Sequence, residues 1–520
     1  MAIRAQPLTL LQWTGAVMAA LVFLAITAPL AAVAWRAEET SVLGAADWSA
    51  IRFTVSQAAI SAFLSVVLAI PVARALARQR FAGRGLVVAL MGAPFLLPVI
   101  VAILGLLAVF GRNGWVNAGL GLLGLPPLEI YGMHGVVLAH VFFNLPLAVR
   151  LLLQGWMSIP SERFRLAVAL GFSNANMRQH FEWPLLRMMV PGVFLVIFLI
   201  CSTSFAVALT LGGGPRATTV ELAIYQAFRF DFDLGRAALL GLVQVAICAF
   251  AAVAVLGVAV PQVLGAGLDR APVMWPEAHR HRFIDGAAVL SAALFLMMPM
   301  IALGLRGVPA LPTLPAVAWE AAGRSVVLSF ATAVVAVAMA LPLAALIARG
   351  RARSILELVG SLSIAVSPLV VGTGLFLLLF PVVNPTLLAI PVTGLVNALA
   401  ALPFLLRALV PAITEAELTQ GRLATALGMR GWPRFRIAIL PRLRRPLGFG
   451  AGLAAALSMG DLGVIALFSA PSQGTLPLEM YRLMGAYRTD DAQGAALLLL
   501  LLSLGIFWLF DRGGRLHAAT

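Results

Sequence analysis

Asp461 lies within the apolar run ALSMGDLGVIALF, where an ionisable side chain is costly unless it serves a function or caps a break in a helix. Either role fits. The carboxylate could attract a cation, or it could satisfy backbone amides freed between Gly460 and Gly463. Asn144 stands two residues before Pro146 in another apolar run, where a kink leaves backbone groups in need of a partner. Ser204 is a third polar residue of this kind, in the run after Cys201. Cys201 and Cys248 sit in separate apolar runs and read as packing residues. His279 and His281 form a His-x-His pair in a basic stretch with no carboxylate or thiol pattern around it, so no metal site is expected. The 36 basic residues are all arginine, which excludes a P-loop lysine or a Schiff-base lysine.

The elements that must position these residues are membrane spans. The chain of 520 residues is 61% hydrophobic and 11% charged, with a mean hydropathy of +0.99, outside the range of water-soluble globules. The net charge of +15 is spread between apolar runs rather than gathered on one module, so nucleic acid is not an expected partner and the lipid bilayer is. Apolar runs predict spans near 10–34, 53–77, 86–110, 134–156, 188–211, 237–262, 284–305, 325–348, 355–380, 391–410, 447–469 and 492–510. The first is long enough for an uncleaved helix rather than a signal peptide. Arginines such as Arg74, Arg78, Arg163, Arg187, Arg280 and the series Arg422 to Arg445 fall on one face. That face is expected to be the cytoplasm, with both termini on it.

The sequence repeats. RLAVALG at 165–171 returns as RLATALG at 422–428, and at the same offset Pro146 matches Pro403, Gly171 matches Gly428 and Pro184 matches Pro441. Pro71 and Pro98 pair with Pro342 and Pro368 at a slightly larger offset, and Thr219 and Tyr225 with Thr475 and Tyr481. The expected organisation is a first half over 1–265, a linker over 266–283 and a second half over 284–520. The two six-helix repeats are parallel, because each half has an even number of spans. Each half carries one long loop on its basic face, near 158–187 and 411–446. Ser161 is placed to cap a helix ending at Leu170, and Thr414 with Glu417 has capping-box spacing, so each loop is expected to be two short helices bent at a glycine. Gly212, Gly213, Gly214 and Pro215 read as a tight turn on the opposite face.

The loop pattern resembles the cytoplasmic motif of ATP-binding-cassette importer permeases, Glu-Ala-Ala, three residues, Gly, nine residues, Ile-x-Leu-Pro. Gly171, Phe181, Trp183 and Pro184 fall on it in one copy; Gly428, Ala438, Leu440 and Pro441 do in the other. Arg165-Leu166-Ala167 and Arg422-Leu423-Ala424 stand where the acidic triplet would, which implies a contact of different charge. The segments LGGGPRATTVELAIYQAF, GMHGVVLAHVFFNLPLAVRLLLQ and DLGVIALF are similar to those of bacterial thiamine importer permeases.

That resemblance implies an all-α polytopic protein of the type I importer permease fold in the bacterial inner membrane, without ATPase activity or a cofactor of its own. The implied partners are a homodimeric ATPase, which uses ATP and Mg and seats on Arg165, Ala167, Gly171, Phe181, Pro184, Arg422, Ala424, Gly428, Leu440 and Pro441, and a periplasmic thiamine-binding protein. In this setting Gly212 to Pro215 would help to dock the binding protein, and Asn144, Ser204 and Asp461 would line the path. A ferric-iron importer permease is the alternative within the class. A transporter driven by an ion gradient is the alternative outside it.

Overall fold

The computed structural model describes residues 10–37, 42–92, 97–212, 214, 217–258, 281–348, 350, 353–429, 431–469 and 473–516, and no strand occurs among them. Helices are α1 (Leu10–Ala37), α2 (Ala45–Arg78), α3 (Arg84–Leu90), α4 (Val99–Phe110), α5 (Trp115–Leu122), α6 (Met133–Met157), α7 (Ser161–Ala169), α8 (Asn174–Met177), α9 (Trp183–Ser202), α10 (Phe205–Leu211), α11 (Val220–Arg229) and α12 (Leu234–Leu256). After the stretch from 259 to 280 come α13 (Arg282–Ala310), α14 (Ala316–Ile347), α15 (Arg353–Ala365), α16 (Pro368–Leu379), α17 (Ala389–Ala426), α18 (Gly431–Arg434), α19 (Leu440–Met459), α20 (Gly463–Phe468), α21 (Leu476–Gly485) and α22 (Thr489–Leu516).

This is an all-α polytopic membrane protein. Among the described residues, ten helices are long and apolar enough to cross a bilayer, or eleven if α15 and α16, which meet at 91°, form one bent span. The predicted twelve differ for local reasons. The span expected at 447–469 becomes α19 and α20 with a break between them, and Arg442, Arg444 and Arg445 place three charges in the first two turns of α19, which shortens its apolar part. The run at 188–211 is also broken, between α9 and α10, but Asn174–Ser202 is long and apolar enough to cross by itself. The expected linker over 266–283, with His279, lies outside the described residues up to position 280.

Two compact units form. One, the C unit, comprises Met1–Ser41, Tyr225–Val245 and Leu311–Thr520; the other, the N unit, comprises Val42–Ile224 and Ala246–Ala310. The opening helix of each sequence half thus packs with the body of the other half. In the C unit α1 lies along α14 and α16, and α14 packs on α17 and α19. A Cβ on Gly374 of α16 would come within 2.3 Å of the Pro29 carbonyl oxygen of α1, so only glycine permits that approach. In the N unit α13 lies along α4 and α2, and α2 packs on α6 and α9. The same set of repeat-related pairings therefore recurs in both units.

The N unit fastens its α13 with charge. Arg78 and Asp285 are both buried, and the guanidinium grips the carboxylate through Nε, 2.8 Å from Oδ2, and through a second bond from Nη2 to Oδ1. Gln79 Nε2 donates to the same Oδ2 at 2.6 Å. Removing one partner leaves a buried charge uncompensated. Asp285→Ala should cost roughly 3–5 kcal/mol and lower the thermal midpoint of the purified protein, while Arg78→Met with Asp285→Leu should recover most of the loss. An unchanged midpoint in the single variant would show that the pair does not hold α13.

Candidate functional site

The two repeated loops share one register. α7 ends at Ala169, and Gly171 adopts φ +65°; α17 ends at Ala426, and Gly428 adopts φ +67°. Beyond each glycine come a four-residue α-turn, a five-residue π-turn and a long helix: α8, Arg178–Glu182 and α9 in one copy, α18, Phe435–Ile439 and α19 in the other. Both glycines end their helices in the same way. The Phe172 amide donates to the Ala167 carbonyl and the Met429 amide to the Ala424 carbonyl, each at 2.9 Å, which closes a Schellman cap. No neighbour lies within 4 Å of where a Cβ would stand on either glycine, so backbone conformation alone requires the residue. The π-turns follow from Pro184 and Pro441. A proline ring clashes with the carbonyl four residues earlier, and widening the preceding turn relieves it. The Trp183 and Leu440 amides accordingly reach back five residues, to the Arg178 and Phe435 carbonyls.

Two expectations about these loops are corrected. Ser161 is the first residue of α7 rather than its cap, which is Pro160, and its hydroxyl donates to Glu162 Oε1 at 3.0 Å. Thr414 and Glu417 form no capping box: both lie inside the 38-residue α17, where Thr414 Oγ1 donates to the Val410 carbonyl at 2.9 Å. The second copy is therefore one continuous helix up to its glycine. Ser158-Ile159-Pro160 breaks the first copy, whereas the equivalent Glu415-Ala416-Glu417 consists of strong helix formers.

The loops divide their apolar side chains between inner and outer faces. Phe164 and Ala167 are buried, with the Phe164 ring stacked 5.8 Å from Phe181; Ala424 and Phe435 are buried in the other copy, with Trp432 5.5 Å from Phe435. Facing outward are Arg165, Leu166, Leu170 and Trp183, and in the second copy Arg422, Leu423, Leu427 and Trp432, with Leu170 63% and Leu427 66% exposed. Pro184 is exposed, and Leu440 and Pro441 are half-buried at the start of α19.

The copies are braced differently, by ion pairs that the sequence analysis did not anticipate. Glu182 is buried and accepts from Arg74 Nε at 2.7 Å, where the second copy has Ile439. Arg434 pairs with Glu417, where the first copy has the fully buried Met177. A lone glutamate among Arg178 and Arg187 was the only signal for the first of these.

Of the residues expected along the path, Asn144 is buried in α6, where Nδ2 donates to the His140 carbonyl at 2.9 Å and meets Cys201 Sγ at 3.3 Å. Ser204 stands at the start of α10 without a capping bond from its side chain. Asp461 stands in the break between α19 and α20. Gly212 ends α10, and a Cβ there would meet the Ala208 and Ala217 carbonyl oxygens at 2.4 and 2.7 Å; Gly214 adopts φ +127°. Gly213 and Pro215 lie outside the described residues.

The left-handed glycines yield a direct test. Gly171→Val and Gly428→Val should each strain the cap by roughly 1–2 kcal/mol. The Phe172 or Met429 amide should then exchange with deuterium roughly 5–30-fold faster. Unaltered exchange would count against the cap.

No protein-family model matches the chain. Curated relatives do, over nearly their whole length. The chain is 39% identical over 474 residues to the thiamine transport system permease protein ThiP of Brucella abortus, covering 89% of this chain and 87% of the relative. It is 39% identical over 486 residues to that of Salmonella typhimurium, covering 91% and 90%, and 39% identical over 482 residues to that of Escherichia coli K12, covering 89% of each.

Proposed function

The chain belongs to the thiamine transport system permease family, and from that membership we propose that it is the membrane subunit of an ATP-driven importer of thiamine. Its cargo moves from periplasm to cytoplasm, with thiamine mono- and diphosphate as further substrates. The observation that carries the reading is the pair of loops in one register on a chain whose full-length relatives bear the thiamine permease name. Those relatives favour thiamine over ferric iron.

A chain without lysine has no P-loop of its own, so ATP and Mg are held by a separate ATPase. Two matched loops suit a homodimer of that subunit. Arg165, Ala167, Gly171, Phe181 and Pro184 in one loop, with Arg422, Ala424, Gly428, Leu440 and Pro441 in the other, form the two seats. Ala167 with Phe164 and Phe181 in one loop, and Ala424 with Phe435 in the other, hold each loop together from inside, while Leu166, Leu170, Leu423 and Leu427 supply outward apolar surface worth roughly 25 cal/mol per Å² when covered. Arg165 and Arg422 meet an acidic or neutral rim rather than a basic one. The Arg-rich face is the cytoplasmic one, with both termini there, and Gly212 to Pro215 face a periplasmic thiamine-binding protein.

Motion follows the joint between loop and helix. Each π-turn and proline set the start of α9 or α19 twelve residues beyond the glycine, and these 20-residue helices run about 30 Å to the breaks at Ser204 and Asp461. Movement of the loops as the ATPase dimer closes on ATP therefore shifts both breaks and changes access to the path.

Reconstitution into proteoliposomes with the ATPase and binding protein tests this. Thiamine uptake should require ATP and ignore a protonophore; uptake that survives without ATP but collapses with the protonophore would refute it. Leu166→Asp combined with Leu423→Asp should lower coupled uptake roughly tenfold at equal membrane abundance, by placing charge in the seats.

A further inference from the structure

Buried polar side chains recur at matched positions in the two units. In the N unit Ser61 Oγ lies 3.4 Å from His140 Nδ1, and Gln57 Nε2 donates to the Cys201 carbonyl at 2.9 Å. In the C unit Thr332 Oγ1 lies 2.9 Å from Ser458 Oγ, and Asn397 Nδ2 donates to the same hydroxyl at 3.2 Å. The repeat offset pairs His140 with Asn397, Cys201 with Ser458 and Ser204 with Asp461, while Ser61 and Thr332 lie on the equivalent helices α2 and α14. Both clusters sit where a membrane helix stops and a short one begins. Polar groups and broken helices at membrane depth mark binding sites and pathways, because each is costly in lipid without such a use.

Charge distinguishes the clusters. The N unit has the neutral Ser204 at its break; the C unit has Asp461. Backbone amides of Gly463, Val464 and Ile465 and the Asn397 side chain lie against this carboxylate, yet Oδ2 is buried without a hydrogen-bond partner. The residue is half-buried, as are Gly460 and Gly463, between the buried stretches Ser458–Met459 and Val464–Phe468. A carboxylate that only capped the short helix would have no reason to leave a buried oxygen unmatched.

We propose that Asp461, oriented by Asn397, is a recognition point for the positive charge of an organic cation passing the broken helix. The proposal rests on thiamine as cargo, whose thiazolium ring carries that charge. A single carboxylate, where the matched break carries only a neutral serine, attracts the cation without holding it, as a transit site requires. Asn397 is a positioning residue, bridging Ser458 and the carboxylate.

The test compares cationic with uncharged cargo in the complete reconstituted complex. The probes are thiamine and an analogue in which a thiophene replaces the thiazolium ring, and the readout is the ratio of their uptake rates, which does not depend on protein amount. Asp461→Asn should lower the thiamine-to-analogue ratio roughly tenfold, and Asp461→Glu should keep it within about twofold of the unaltered chain. Asp461→Ser, which copies the residue at the matched position, is a second charge-removing variant and should behave as Asp461→Asn. An unchanged ratio in these two variants would overturn the proposal while leaving the importer reading intact. Absence of thiamine uptake by the unaltered complex would overturn the cargo assignment and this inference with it.

Discussion

Hydrocarbon offers no partner to a backbone amide or carbonyl, and a chain that crosses it must satisfy each of these groups from within. The helical architecture follows from that constraint, and so does the meaning of every interruption in it. Asn144 turns its amide back onto the His140 carbonyl two residues before Pro146, and Asp461 turns its carboxylate toward the amides that begin α20. Where the helix breaks, polar side chains gather; elsewhere within the spans apolar ones prevail. The same constraint shapes the loops, where the proline that begins each long helix forces a π-turn instead of a gap in the hydrogen-bond ladder.

Features set by local chemistry were legible in the sequence. Gly171, Gly428, Pro184 and Pro441 act through their own backbone restrictions, and the structure places them in matching positions as their spacing implied. Spacing was misleading at Thr414 and Glu417, because a capping box has effect only where a helix begins, and the helix-forming Glu415-Ala416-Glu417 carries α17 through that point. Packing partners were not legible at all. The apolar faces of α1 and α13 are as suited to one neighbour as to another in a solvent that is itself apolar, so nothing in their periodicity told that each joins the body of the other sequence half. Arg78 and Asp285 lie 207 positions apart, and only the fold brings them together.

Duplication within one chain has let the halves diverge where a homodimer could not. Glu182 with Arg74 braces one loop, Arg434 with Glu417 the other, and one break carries a carboxylate where its counterpart has serine. The shared frame lies in glycines, prolines and helix register. Individuality lies in the charges laid over it.

The exchange of opening helices bears on how the protein is made. About 280 residues separate α1 from α14, against which it packs, and at typical rates of synthesis that interval lasts roughly 15–60 s. During this time the first helix has only α12 to pack against, with lipid where α14 and α16 will be, and α13 must then find a body already formed. The C unit consequently cannot be completed until the second half of the chain has been made. The amino-terminal helix, made first, is among the last to find its place.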